Sequence, residues 1–333
     1  MTAVATPTTR VTPLAVPGGL PPRRVPEALF PDAIVRYVHG WDAIADAFDR
    51  LDDQRPATCG AYAARYLLAP LGYARHEGVD TSREDFLAFL AGTVIEAYEV
   101  EPAERVRAAV AAAGWSDEEA LRRHPREFYA WQLRSSDDPA VSGTSPTGTA
   151  RAVAVASGGA LVTLPVPART AGGDVLLTPE RWERLWDLLA DRVEAWRVHP
   201  VANYETDQLL APTDPAYSVG GLRGPAVESL PRDRWEVGHF AGIGAFWRDG
   251  ERRWVLLLDT YKARGFRGYE PQPAELLRRG LVREDGREGG LLLVMPREHL
   301  DEVRGAVVGL GLEIRMWGNG SLEPEGWTWA YGR

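Results

Sequence analysis

The hydrophobic pattern changes its period along the chain, and this change restricts the fold more than any other sequence feature. Toward the C-terminus, short apolar runs bounded by Gly, Asp and Arg have the length of buried strands: residues 239–246, 254–259 and 291–295. Toward the N-terminus, apolar residues recur at three- and four-residue steps, as on one helix face: Ile34, Val35, Val38, Trp41, Ile44, Ala45 and Phe48. Helices that precede strands predict an α+β fold rather than a doubly wound parallel sheet.

The composition divides the 333-residue chain into an arm and one large domain. Residues 1–30 are rich in Pro, Thr and small residues, which favours a disordered arm. Residues 31–333 are expected to form one domain in three consecutive parts. They are a helical lobe over about 31–133, a loop-rich insertion over about 134–234 and a β-rich lobe over about 235–333.

Capping residues, glycines and prolines predict where several helices, strands and loops lie within these parts. Capping boxes at residues 81–84 and 116–119 each predict the start of a helix. Residues 135–159, rich in Ser, Gly, Thr and Pro, are expected to form a long loop. Thr178 and Pro179 open a helix whose tryptophan stripe we expect in the core. Further elements are expected as a strand at 161–166, a helix at 297–310 and a strand at 312–317.

Charge and composition argue against several classes of partner. A formal net charge of −9 opposes binding to nucleic acid, because such proteins concentrate Lys and Arg on a basic face. The first residues lack the apolar run of a secretory signal, and no stretch has the length of a membrane span, so we expect a cytoplasmic protein without a membrane partner. No residue spacing is typical of a metal site, and neither a metal nor a cofactor is expected. The oligomeric state is left open.

Cys59 is the only cysteine, so the chain can form no internal disulfide, as fits a reducing compartment. A lone cysteine is by default a small buried apolar residue. This one follows Pro56, which interrupts regular structure, and Thr58, which can cap a helix. Cys59 is therefore expected at a helix N-terminus, where the positive end of the helix dipole favours the nucleophilic thiolate.

His239 is the candidate base among the six histidines of the chain. It opens an apolar strand after Gly238, whereas the other five have the settings of surface, capping or loop residues. Asp259 ends the next strand, and an antiparallel return would bring its carboxylate beside the imidazole. The alternative is a core histidine whose hydrogen bonds are satisfied by an aspartate at a strand end.

Gln54 and Gly60 complete the candidate site around the cysteine. Gly60 permits a close approach of backbone or substrate. The Gln54 amide and the Cys59 backbone N–H can together form an oxyanion hole, with two donors for the oxygen that gains charge in acyl transfer. The alternative for Gln54 is a solvated loop residue.

These motifs resemble the papain-like cysteine peptidase superfamily, and most of all the bacterial peptidases that cut leaders after double glycines. The resemblance rests on Gln-x-x-x-x-Cys-Gly at a turn-to-helix junction, a Gly-His strand and a strand that ends in Asp, in that order. It implies Gln54 in the oxyanion hole, Cys59 as nucleophile, His239 as base and Asp259 as its orienting group. It also implies a helical N-terminal lobe packed on an antiparallel sheet. The chain departs from those peptidases at Thr260, where they commonly have proline, and in its greater length.

Three functions are consistent with this constellation. The first is a peptidase or amidase that acts through a thioester on Cys59. If an amine replaces water as the second nucleophile, the same residues make an acyltransferase or a transglutaminase-like enzyme. The third is a non-catalytic binding module on the same scaffold, because fold does not guarantee activity. A peptide or acyl group is the expected substrate in the first two.

Overall fold

The computed structural model describes residues 14–329, and its helices and strands lie within that range. The α-helices are α1 (Val25–Leu29), α2 (Trp41–Asp49), α3 (Cys59–Leu68), α4 (Glu84–Ala91), α5 (Ala97–Ala112), α6 (Asp117–Arg123), α7 (Pro125–Ala130), α8 (Pro146–Ala156), α9 (Pro179–Arg192), α10 (Val219–Arg223), α11 (Ala274–Val282) and α12 (Leu300–Gly309). The strands are β1 (Arg36–Tyr37), β2 (Arg75–His76), β3 (Val79–Asp80), β4 (Val94–Glu96), β5 (Arg134–Ser136), β6 (Leu161–Pro167), β7 (His199–Glu205), β8 (Gly238–Asp249), β9 (Arg252–Leu258), β10 (Tyr269–Pro273) and β11 (Gly290–Pro296).

A seven-stranded sheet is the largest element of the described chain. Its order is β10-β9-β8-β7-β11-β6, with β1 added beside β8, and every pairing in it is antiparallel. Helices and an antiparallel sheet thus occur together, and the predicted α+β class is confirmed.

Strands β8 and β9 form a hairpin that positions the predicted histidine and aspartate. Asp249 pairs with Arg252, so the loop has two residues, and Gly250 has a positive φ of 59°. Two-residue hairpin loops need positive φ at their first position, which glycine adopts at little cost. The register then carries Leu258 back to Gly242, close to the start of β8.

Helix α3 packs against the sheet at β8 and against α4 and α8. All of its residues except Arg65 are buried. Gly60 explains how closely the helices approach: a Cβ there would lie 2.4 Å from Thr149 Oγ1 and 2.9 Å from Thr144 Cβ. The close approach expected at Gly60 therefore exists, and the neighbouring groups are side chains of the protein itself.

The prediction of a disordered arm is wrong for the part that the structure describes. Residues 1–13 lie outside the described residues, but residues 14–30 form two 3-10 turns and α1. Val25, Leu29 and Phe30 are buried in the main core. These few apolar residues dock on a core that other segments build, which an average composition does not reveal.

The prediction of a loop-rich insertion at 134–234 is also wrong. Its strands β6 and β7 belong to the main sheet. Residues 135–159 contain α8, which begins with the Ser145 side chain accepting from Gly148 N and with Pro146 in the first turn. The tryptophan stripe of α9 is buried, as predicted.

Other boundaries differ locally. The first predicted helix begins only at Trp41, because residues 36–37 pair with β8 as strand β1. Helix 297–310 is found as a 3-10 turn followed by α12, whereas residues 312–317 form no strand. The helix start predicted at Ser116 is confirmed, since its side chain accepts from Glu119 N, but the Glu119 carboxylate binds Arg122 and Arg123 and does not complete a capping box.

We expect Gly60→Ala to lower the melting temperature by several degrees, because overpacking a filled contact costs about 1–3 kcal/mol. Gly305→Ala is the matched control: it too replaces a helix glycine, but no atom lies within 4 Å of the added methyl group. Alanine there should be neutral or stabilising. Equal melting temperatures for the two variants, measured by circular dichroism, would contradict the tight packing at Gly60.

Candidate functional site

Cys59 is the first residue of α3 and is 9% exposed. The first N–H groups of a helix have no partner within the helix, and they point toward this end. The preceding residues form a tight turn in which Ala57 has a positive φ of 62°. The predicted position of Cys59 at a helix N-terminus is confirmed.

Glu84, a residue that the sequence reasoning assigned to a capping box, holds the turn before Cys59. Its Oε1 accepts from Arg55 N at 2.7 Å and contacts the Thr58 hydroxyl, and its Oε2 lies 3.1 Å from Arg65. Burial raises the pKa of Glu84, although these hydrogen bonds oppose the rise. The predicted role of Glu84 in a capping box with Thr81 is wrong, because α4 begins after Arg83 without a side-chain cap.

His239 lies in the second position of β8 and is almost fully buried. Its Nε2 is 3.5 Å from Asp259 Oδ2 and 3.2 Å from the Thr260 hydroxyl, and Cys59 lies near enough to raise the pKa of the imidazole. Since Nε2 faces Asp259 and Thr260, Nδ1 is the nitrogen left for the sulfur. The structure therefore brings Cys59, His239 and Asp259 together.

The charges around His239 favour its protonated form. Burial alone would lower the pKa of His239, but the Asp259 carboxylate, 3.5 Å from Nε2, and then Cys59 raise it to about 10. The imidazole therefore carries a positive charge at neutral pH. A fixed positive charge at this place can stabilise negative charge that develops nearby during a reaction.

Asp259 is fully buried, and its carboxylate lies close to two cations, His239 and Arg264. Its Oδ2 is 3.3 Å from Arg264 Nε, and its Oδ1 accepts from Tyr261 N at 2.8 Å. Burial would raise the pKa of Asp259, but Arg264, His239 and the bond from Tyr261 lower it. The carboxylate thus remains ionised in the interior.

Arg264 joins three buried carboxyl groups. Its guanidinium lies 2.5 Å from Asp233 and 3.0 Å from Glu270, in addition to Asp259. Burial raises the pKa of Glu270, and the charges of Asp259 and Asp233 add to this despite Arg264. A protonated Glu270 would leave two carboxylates to balance Arg264 and the imidazolium. No sequence motif pointed to this network.

Gln54 lies at the same site but makes contacts that the sequence did not predict. Its backbone N–H donates to the Thr260 carbonyl at 3.0 Å, and its Nε2 donates to the Tyr261 hydroxyl at 3.1 Å. Thr260, the position at which the chain departs from the leader peptidases, contacts the His239 ring through its hydroxyl. Residues 259–261 therefore each contribute a polar group.

Aromatic rings surround the imidazole. The Trp235 ring is centred 5.2 Å from the His239 ring, Tyr204 meets it edge-on at 5.8 Å, and Tyr261 stacks at 6.3 Å with an interplanar angle of 17°. Trp235 and Tyr261 are partly exposed, whereas Tyr204 is buried. These three rings cover much of the imidazole and contribute to its burial.

His199 is the other deeply buried histidine, and the prediction that it lies in a loop is wrong, since it begins β7. Neither of its ring nitrogens has a hydrogen-bond partner among the described residues. Burial lowers the pKa of His199 to about 3, so it stays neutral. Its environment is that of a core residue and contrasts with the polar setting of His239.

Residues 14–329 also lack two features that are typical of other classes of protein. No three or more His, Cys, Asp or Glu side chains are grouped there so that they could hold a metal ion. In the same range no helix combines the length and the apolar character that crossing a bilayer requires.

Comparison with known proteins identifies a family without a described activity. No curated protein matches the sequence significantly. The model of a family described as a family of unknown function (DUF6885) matches residues 38–318, which include all four predicted site residues. Because this match covers most of the chain, the protein belongs to the DUF6885 family.

Proposed function

We propose that the protein is a papain-like thiol hydrolase that cleaves a peptide or amide bond through a thioester on Cys59. The observation that carries this proposal is that Cys59 begins a buried helix within electrostatic reach of the imidazole of His239, whose Nε2 faces the buried Asp259 carboxylate at 3.5 Å. A nucleophile, a base and an orienting group in this order are the requirements of acyl transfer by a thiol.

The arrangement of elements supports the papain-like part of the proposal. The nucleophile begins a buried helix, α3, that packs on an antiparallel sheet, and the base and the carboxylate come from one hairpin of that sheet. The chain order Gln54, Cys59, His239, Asp259 is that of the papain-like superfamily. The long segment between residues 72 and 235, which contains α4 to α10, makes this chain longer than the leader peptidases.

The proposed reaction has two stages. In the first, the Cys59 sulfur bonds to the carbonyl carbon and the carbonyl electron pair moves to oxygen, where the Cys59 N–H and the Gln54 amide stabilise it. The carbon–nitrogen bond then breaks, and the His239 imidazolium gives its proton to the departing amine. In the second, neutral His239 takes a proton from water, the water oxygen bonds to the thioester carbon, and the sulfur leaves. The cycle needs Cys59 as an unoxidised thiol, and a reducing compartment is part of the proposal.

We expect Cys59→Ala to abolish hydrolysis of peptide or ester substrates without a large change in melting temperature, because it removes the nucleophile and only a small side chain. Since Cys59 is the only cysteine, iodoacetamide labelling reports on this site alone. Wild-type protein should be alkylated at pH 7 faster than a free cysteine. Full hydrolytic activity in Cys59→Ala would refute the proposal.

Two histidine variants distinguish the loss of the proposed base from the loss of any buried histidine. We expect His239→Leu to slow alkylation by about tenfold or more, because the positive charge beside the sulfur is lost. His199→Leu is the control, since it removes another buried histidine of the same sheet that lacks polar partners. Equal alkylation rates in the two variants would show that His239 does not activate Cys59.

We expect Asp259→Asn to lower turnover by about ten- to a thousand-fold, less than the loss in a serine triad, because papain-like enzymes work with asparagine at this position. The pH profile of alkylation should also change, since without the carboxylate the imidazolium loses its proton well below pH 10. Asp187→Asn is the control: it removes a carboxylate bound to Arg253 at 3.0 Å, away from the site.

The ion pair of His239 and Asp259 also predicts how the stability of the protein depends on pH. Because Asp259 raises the pKa of His239, the stabilisation is complete below the unfolded value of 6.5 and declines as the pH rises through about 10. Thermal unfolding between pH 7 and 10 should therefore show a steeper loss in wild type than in Asp259→Asn. Identical slopes and unchanged turnover would make Asp259 a structural residue only.

A further inference from the structure

The Tyr261 hydroxyl is bonded to the side chain that the proposed mechanism places in the oxyanion hole. Gln54 Nε2 donates to it at 3.1 Å, so the phenol oxygen is the acceptor in that bond and its own hydrogen is not used there. The second hydrogen of the Gln54 amide is likewise not used in that bond. Two neighbouring donors are thus available at one place.

Tyr261 is also within electrostatic reach of the nucleophile. Burial, and then the charges of Cys59 and Asp259, raise the pKa of Tyr261. The hydroxyl therefore keeps its proton throughout the neutral range. A protonated phenol close to a reactive sulfur can donate to an oxygen that becomes negative there.

The position of this hydroxyl is held from both sides. Tyr261 N donates to Asp259 Oδ1 at 2.8 Å, and Gln54 N donates to the Thr260 carbonyl at 3.0 Å, which ties the two segments together. The Tyr261 ring stacks on His239 and meets Trp235 edge-on at 5.4 Å. Donors fixed in this way before the reaction need little reorganisation during it.

The Gln54 amide depends on Tyr261 for its orientation. Gln54 Oε1 is buried and has no hydrogen-bond partner among the described residues, so the bond from Nε2 to Tyr261 is the polar contact that orients this group. A second acceptor near Nε2, such as the oxygen of a tetrahedral intermediate, would lie within range of both side chains.

We infer that Tyr261 is a further catalytic residue, whose hydroxyl donates beside Gln54 to the oxygen of the acyl group that Cys59 attacks. The inference rests on the proposed function. In the addition step, the sulfur–carbon bond forms, the carbonyl π pair moves to oxygen, and that oxygen accepts hydrogen bonds from Tyr261 and Gln54. No proton is transferred in this step. When the leaving group departs, the electron pair returns to re-form the carbonyl, and the hydrogen bonds from both donors weaken.

Two reagents separate this role from the reactivity of the sulfur itself. p-Nitrophenyl acetate acylates a thiol through an oxyanion, with loss of nitrophenolate, whereas iodoacetamide alkylates it by displacement of iodide without an oxyanion. We expect Tyr261→Phe to slow acylation of Cys59 by about ten- to a hundred-fold and to change alkylation by less than about twofold. Gln54→Ala should show the same selective loss. Product release as nitrophenolate and loss of free thiol give the two rates.

Tyr62→Phe is the matched control. It also removes a tyrosine hydroxyl near the turn, but that hydroxyl donates to the Asp52 carbonyl at 2.7 Å and so only supports the backbone. This variant should leave the ratio of the two rates unchanged. Melting temperatures of the variants check that the fold is kept.

The outcomes distinguish this inference from the proposed function. If Tyr261→Phe slows both reagents equally, Tyr261 only positions Cys59 and His239, and the inference is wrong. It is also wrong if neither rate changes. If wild-type protein reacts with neither reagent faster than a free thiol, the proposed function itself fails and this inference fails with it.

Discussion

The buried charge of Asp259 is the interaction on which the rest of the site depends. A carboxylate without solvent is stable only with hydrogen bonds and counter-charges, and this one has Tyr261 N, Arg264 and His239. Two of these partners also have further neighbours: His239 has Cys59, which helps to raise its pKa, and Arg264 binds Asp233 and Glu270. The loop after β9 is therefore ordered by electrostatics as much as by packing.

The nucleophile depends on a second network, in a distant part of the chain. Glu84 of α4 binds the turn before Cys59, and Gly60 lets α3 approach Thr144 and Thr149. These contacts fix where α3 begins, and hence where its N–H groups point. The two networks meet through the Gln54 contacts with Thr260 and Tyr261, which join the cysteine turn to the aspartate loop.

The parts of the site that local sequence determines could be predicted. Pro56 and Thr58 predict that a helix begins at Cys59. Two apolar runs separated by a glycine turn predict the hairpin of His239 and Asp259. The partners of these residues could not be predicted, because contacts such as Glu84 with the cysteine turn depend on tertiary packing. For the same reason, composition alone could not predict that the short segment around Leu29 is buried.

The wrong prediction of a loop at residues 135–159 could have been avoided from local sequence signals. Residues 135–159 are rich in Ser, Gly and Thr, and averaging over them predicts a loop. Within them, Ser145 and Pro146 are a cap and a first-turn proline, which are signals for a helix start, and α8 begins there. Such signals carry more information than the composition that surrounds them.

The hairpin of β8 and β9 also has a consequence for how the protein folds. His239 and Asp259 are joined by a two-residue loop and short strands, so their approach closes only a short stretch of chain. About half of the chain separates Cys59 from His239, and their contact requires the docking of α3 on a completed sheet. A partly folded chain can therefore contain the His239–Asp259 pair while its thiol is still unactivated. Full thiol reactivity would then appear only at the end of folding, when the sulfur enters its final surroundings.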